Sequence, residues 1–203
     1  YNLSLWYISR AVEVLSKLFV ICTLIFHVFN LLKIFGDRVD RDPLTQIYNR
    51  KYFYEALPRV RSLRTEKGTS IMMLDIDNFK SINDNWGHLV GDRVILAVVD
   101  IIKDSIRDND IFARLGGEEF GLLLPDTDGK QAMAVSERIR QNVQQRTGPG
   151  YHYALPVRVT LSIGVCSAIQ NNVNGNDIMR DVDEALYEAK HNGKNRIVTR
   201  QAE

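Results

Sequence analysis

The stretch IFARLGGEEFGLLLP, Ile111 to Pro125, decides the fold. Two apolar runs flank a Gly-Gly pair followed by adjacent carboxylates. The runs read as strands, Ile111 to Leu115 and Phe120 to Leu124, and the glycines supply the positive φ angles of a tight hairpin turn. The simplest role for glutamates at such a tip is solvation. A second role exists if another carboxylate converges there: Gly116 and Gly117 would let a phosphate or sugar approach the backbone while a glutamate faces a metal ion.

Outward from the hairpin, helices and strands alternate. Helices are expected over Lys51 to Thr65, Val90 to Ser105, Asp128 to Gln145 and Asp177 to Lys190. Strands are expected over Thr69 to Ile76, Val157 to Ser167 and Arg196 to Thr199. A hairpin mixed with helical segments favours an α+β sandwich-like layer fold, with a central, mainly antiparallel sheet flanked by helices, over a doubly wound parallel one. Gly193 fits the position that ends the preceding helix.

The chain has 203 residues, 45% hydrophobic and 25% charged, enough for one packed domain and an appendage. Its net charge of +1 makes no electrostatic case for a nucleic-acid partner, so any phosphate binding must be local. Cys22 and Cys166 lie in apolar surroundings without metal-ligand spacing and suggest a reducing compartment. The four histidines form no His-Cys metal pattern.

The first third differs from the rest. It opens at Tyr1 without a methionine and reads as a fragment of something longer. Leu18 to Leu32, LFVICTLIFHVFNLL, carries no formal charge between Lys17 and Lys33. Alone it is short of the roughly 20 residues needed to cross a bilayer, but with both lysines snorkelling Val14 to Phe35 suffices. Trp6 and Tyr7 suit an interfacial belt, and Lys33, Arg38 and Arg41 mark a cytoplasmic end. The competing reading is a buried or dimerising helix. Arg10, Glu13 and Lys17 share one helical face, a stripe expected to turn toward neighbouring helices. After Gly36 charges, a proline and turn formers take over. The expected division is 1-39, a long N-terminal helix and linker, and 40-203, a separate packed domain.

The second carboxylate source is DIDNFKSINDNWGHLVGD, Asp75 to Asp92. Asp75 closes an apolar strand and reaches the sheet edge. Mg2+ takes hard oxygen ligands, commonly one or two carboxylates completed by phosphate oxygens and water. Asp77 shares a face with Asp75 by strand alternation, so spacing leaves open which of them is the ligand.

RLGGEEF and DIDNFKSINDNWGHLVGD together resemble the GGDEF family, the bacterial diguanylate cyclases. DPLTQIYNR, Asp42 to Arg50, and YEAKHNGKNRIV, Tyr187 to Val198, match two further family motifs in the family's order. The resemblance spans about residues 40 to 200 and implies a nucleotidyl-cyclase or polymerase-palm-like domain. It also implies condensation of two GTP to cyclic di-GMP and two pyrophosphates, each domain of a homodimer holding one GTP.

Carried onto this sequence, the resemblance makes Asp75, the Ile76 carbonyl and Glu118 ligands of Mg2+, with Mn2+ a possible substitute. Glu119 would complete the metal site or help to activate the attacking 3′-hydroxyl; which glutamate does which stays open, because strand alternation points them to opposite faces unless the turn twists them. Gly116 and Gly117 would admit the substrate. Asn83 and Asp92 would read guanine, whose N1-H and N2-H a carboxylate accepts, whereas adenine presents an acceptor at N1. Viewed singly, Asn83 is a turn residue and Asp92 a first-turn helix acid. Lys80, Lys190 and Lys194 would bind phosphates. At Lys194 the family more often carries arginine, so a bidentate contact becomes a point charge.

Arg107 and Asp110, in RDND ahead of Gly116, stand where the family carries its inhibitory product site, and Arg138 resembles that site's secondary arginine. The resemblance thus implies feedback inhibition by cyclic di-GMP. SLWYISR and the apolar stretch resemble the last transmembrane helix of a membrane sensor module, placing the chain in a bacterial inner membrane with its catalytic domain cytoplasmic. A catalytically silent GTP or cyclic di-GMP receptor and a membrane-tethered dimerisation module are the rival functions.

Overall fold

The structure, a computed structural model, describes residues 2–63, 66–169 and 175–201, with side chains apart from those of residues 2–5, 30–39, 168, 169, 175 and 176. It divides into two compact units, Tyr1–Asp40 and Arg41–Glu203.

The first unit is one helix, α1 (Asn2–Val39). Among the described residues it holds the one segment long and apolar enough to cross a membrane, Trp6–Phe29, whose 24 residues rise about 36 Å as a helix. Trp6 and Tyr7 meet edge to face at 5.0 Å. The expected polar stripe is satisfied within the helix: Glu13 accepts from Arg10 at 2.9 Å and from Lys17 at 2.6 Å. Such self-pairing lowers the cost of taking these charges out of water. The side chains of Lys33 and Arg38 lie outside the described residues.

The second unit runs β1 (Tyr48–Asn49), α2 (Arg50–Ser62), β2 (Thr69–Ile76), α3 (Phe79–Trp86), α4 (His88–Lys103), β3 (Ile111–Gly116), β4 (Glu119–Pro125), α5 (Gly129–Arg146), β5 (Leu161–Ile169), α6 (Gly175–His191) and β6 (Ile197–Gln201). Six strands form one sheet in the order β1-β3-β4-β2-β5-β6. The interior pairings β3/β4, β4/β2 and β2/β5 are antiparallel, as expected, whereas β1/β3 and β5/β6 at the edges are parallel.

β2 is central and buried along its whole length, and its middle, Ile71 to Leu74, is apolar on both faces. Met72, Leu74 and Ile76 join α3, α4 and α5 in one core layer. Ile71 and Met73 join Phe53 and Val60 of α2 and Ile178 and Val182 of α6 in the other. A Cβ at Gly164 would lie 2.5 Å from the α6 backbone, so only glycine lets that helix sit so close to β5. This approach delivers Lys190, in the last turn of α6, to the end of β2.

Three elements depart from expectation. FKSINDNW forms α3, which local polarity hid; Phe79 and Ile82, at i and i+3, are buried. Consequently Asn83 is helical rather than a turn residue, and Asp92 sits beyond the first turn of α4. Residues 157–160 precede β5 because they serve as ties: the Val159 N–H donates to Thr147 Oγ1 at 3.0 Å, and the Thr160 carbonyl accepts from the Asp77 N–H at 3.0 Å. α2 ends at Ser62, and Thr65 lies outside the described residues.

Candidate active site

The hairpin tip is fastened from below. Arg114 donates through Nε and Nη2 to the Gly117 carbonyl, at 3.0 and 2.9 Å, and through Nη1 to Asp42 at 3.1 Å. Asp42 also accepts from the Thr45 N–H and hydroxyl, at 2.9 and 2.7 Å. Although burial pushes the Asp42 carboxyl up, these donors hold it below its ordinary value. One guanidinium thus ties the first motif, DPLT, to the acidic turn. The motifs were legible, but nothing in their spacing disclosed this contact.

Gly117 takes φ 48°, which glycine adopts without penalty, and puts Glu118 in the turn rather than on a strand. Strand alternation therefore does not separate the two glutamates. Glu119 is the register partner of Asp75 across β4 and β2, so those side chains share a face. The Ile76 N–H donates to the Glu118 carbonyl at 3.3 Å, closing the turn onto the end of β2. A Cβ on Gly116 or Gly117 would meet nothing within 4 Å, which leaves open space over the tip.

Asp75 is 7% exposed. Burial pushes its carboxyl up to about 6; Glu118 and Glu119 add to the rise, and Lys190 opposes it. Lys190 Nζ stands 2.7 Å from Asp75 Oδ2, so a cation already pairs with the buried carboxylate at the end of β2. Among the described residues no cluster of three His, Cys, Asp or Glu side chains encloses a metal position. The donor set of hard carboxylate oxygens suits a divalent ion that takes its remaining ligands from phosphates and water.

Asp77 is already engaged in the fold. Its carboxylate accepts from Thr160 Oγ1 at 2.7 Å, Ser162 Oγ at 2.6 Å and the Asn195 N–H at 2.9 Å, which fills three of its roughly four lone-pair sites. It fixes the loop after β2 against β5 and the segment leading to β6. The alternation expected of a strand stops at Ile76, where β2 ends.

Asn83 Oδ1 is buried without a hydrogen-bond partner and lies against Gly91, where a Cβ would fall 2.0 Å from it. Glycine at 91 thereby brings α3 and α4 together, one position before the exposed Asp92. Lys80 is exposed on α3. Lys194, at φ 60°, donates to Asn78 Oδ1 at 2.5 Å and so holds the loop after α6 to the start of α3.

A separate cleft of about 400 Å³ lies between the β1 region and the end of α4 and includes Arg107 and Asp110. Asp110 accepts from the Arg107 N–H at 2.8 Å. Burial pushes the Asp110 carboxyl up, against that N–H and the charges of Arg107 and Arg138. Arg138 Nη2 donates to the Ser105 carbonyl at 2.7 Å.

A profile of the family described as "Diguanylate cyclase, GGDEF domain" matches residues 39–196. A protein of Escherichia coli named probable diguanylate cyclase DgcT is 50% identical over 201 residues, 98% of this chain and 44% of that protein. Diguanylate cyclase A of Treponema denticola is 42% identical over 161 residues, 77% of this chain and 43% of that protein. This chain therefore spans less than half the length of these relatives. Among solved structures, the coiled coil and GGDEF domain of DgcB from Caulobacter crescentus, in complex with c-di-GMP, matches with a TM-score of 0.80 at 28% identity, covering 91% of this chain and 98% of that one. The active GGEEF domain of a diguanylate cyclase from Vibrio cholerae matches with a TM-score of 0.67 at 34% identity, covering 77% of this chain and 100% of that one. On these grounds the chain belongs to the GGDEF family of diguanylate cyclase domains.

Proposed function

We propose that this chain condenses two GTP molecules to cyclic di-GMP with release of two pyrophosphates, as a homodimer of residues 40-203 tethered to a membrane by the N-terminal helix. The observation that carries this reading is Glu119 opposite Asp75 across β4 and β2, with the Glu118 turn closed onto Ile76 and Lys190 paired with Asp75.

In this reading Asp75, Glu118 and the Ile76 carbonyl hold Mg2+ or Mn2+. The bound ion would neutralise charge developing on the phosphates. Glu119, beside Asp75, accepts the proton of the attacking 3′-hydroxyl as its oxygen bonds to the α-phosphorus of the other GTP and pyrophosphate leaves. Lys190 exchanges Asp75 for a substrate phosphate, and Lys80 and Lys194 offer further point charges. Asn83 Oδ1 gains the donor it lacks from the guanine edge, and Asp92 accepts the rest; ATP would leave both unpaired. Each domain holds one nucleotide, so catalysis needs two domains opposed. Arg107, Asp110 and Arg138 form the inhibitory product site.

The test is product identification by mass, with pyrophosphate counted, from GTP and from ATP with Mg2+. Two pyrophosphates per cyclic dinucleotide from GTP, and little product from ATP, is the expected result. No product at any protein concentration, with cyclic di-GMP still bound, would favour a receptor.

A further inference from the structure

Three cationic side chains line the cleft that holds Arg107: Arg107 itself, Lys103 and Arg41, alongside Tyr48. Two carboxylates share it, Asp108 and Asp110, and Asp110 is spent on the Arg107 backbone. The cleft thus keeps a positive balance suited to a ligand with two phosphate charges.

Arg41 is unusual for an exposed arginine because it is already held. Its Nη1 donates to the Gln46 carbonyl at 2.8 Å, and its guanidinium lies over the Tyr48 ring at 4.4 Å. Tyr48 in turn stacks on Tyr52, with ring centroids 3.8 Å apart and planes 6° from parallel. Tyr52, Tyr48 and Arg41 therefore form a ladder of planar groups whose last rung is exposed. A purine laid on that rung would meet a pre-oriented guanidinium, and little side-chain entropy would be lost on binding. The surrounding loop is braced as well: Arg41 bridges Tyr48, and the Asp42 N–H donates to the Ile47 carbonyl at 2.9 Å.

Resting on the reading of Arg107 and Asp110 as a product site, we propose that Arg41, backed by Tyr48 and Tyr52, is a further subsite of that cleft, on which a guanine of cyclic di-GMP stacks. Arg107 and Lys103 take the phosphates. The ligand then fastens residues 41 to 48, which begin the catalytic unit and carry the Asp42 that holds Arg114.

The experiment is titration of cyclic di-GMP calorimetrically, with initial turnover recorded in parallel, on the parent, Arg41→Ala, Arg41→Lys and Arg107→Ala. The stacking plane removed from Arg41 should weaken binding about tenfold and shift the inhibition midpoint equally, with initial turnover unchanged. Lysine at 41 keeps the charge without the plane and should recover less than half of that loss. Parent-like binding by Arg41→Ala, full recovery by Arg41→Lys, or a fall in turnover matching the fall in affinity would each overturn the proposal. If Arg107→Ala itself binds like the parent, the product-site reading fails first; if Arg107→Ala loses binding and Arg41→Ala does not, only the subsite fails.

Discussion

The acidic turn and the α3–α4 corner are both polar, and they are built in opposite ways. At the turn every supporting group has a partner: Arg114 holds Asp42 and Gly117, Lys190 holds Asp75, and Asp77 is triply bonded. At the corner Asn83 Oδ1 has none, Asp92 is exposed, and neighbouring Leu89 is 82% exposed. The difference teaches that chemistry needs positions fixed beforehand, whereas recognition is strongest where groups stay unsatisfied until the right base arrives.

The sharpest way to break this contrast is Glu118→Gln, which keeps the turn's shape and removes one charge. Turnover should fall about 10³-fold, with the fold intact by circular dichroism. Next comes Asp92→Asn, at the corner. Loss of one charged acceptor should lower the preference for GTP over ATP by about thirtyfold, read as the ratio of kcat/KM values, while Mn2+ affinity stays unchanged. A variant that lost metal as well would erase the distinction between the two regions.

Arg114→Ala tests the bracing. It leaves Asp42 with a half-buried, uncompensated charge and frees the Gly117 carbonyl, so the catalytic unit should lose about 2 kcal/mol in denaturant unfolding and turnover should drop with it. The smallest effect concerns Asp75. Its folded value near 6 lies above the ordinary 3.8, so the native metal-free chain binds the extra proton. The stability this proton confers is complete below about pH 4 and is lost as pH rises through 6. Asp75→Asn carries no such penalty, so its stability relative to the parent should improve by about 1 kcal/mol between pH 5 and 7, after allowance for the lost Lys190 contact. A pH-independent difference would contradict the burial of that carboxyl.

The long apolar and alternating segments were legible in the sequence because burial writes a period into it. β2 was placed over its observed residues, Thr69–Ile76, and the hairpin runs within a residue of their ends. α3 escaped because only Phe79 and Ile82 are buried among its polar residues. The parallel pairing of β1 escaped because two residues carry no periodicity. Asp75, Glu118 and Glu119 stood out through their motifs, whereas the structural contacts of Asp42, Arg114 and Asp77 did not. Those three act through contacts across 72, 83 and 118 positions of chain, which no local pattern encodes. That Asp77, unlike Asp75, is held by three donors likewise required the fold.

The most direct measurement is cyclic di-GMP formation from GTP and Mg2+ by the detergent-held parent beside a Glu118→Gln, Glu119→Gln double variant. The account predicts product from the parent and none from the variant, with Arg107-dependent binding of cyclic di-GMP retained in both. Equal product from both proteins would contradict it, because the acids at the end of β2 would then have no part in the reaction.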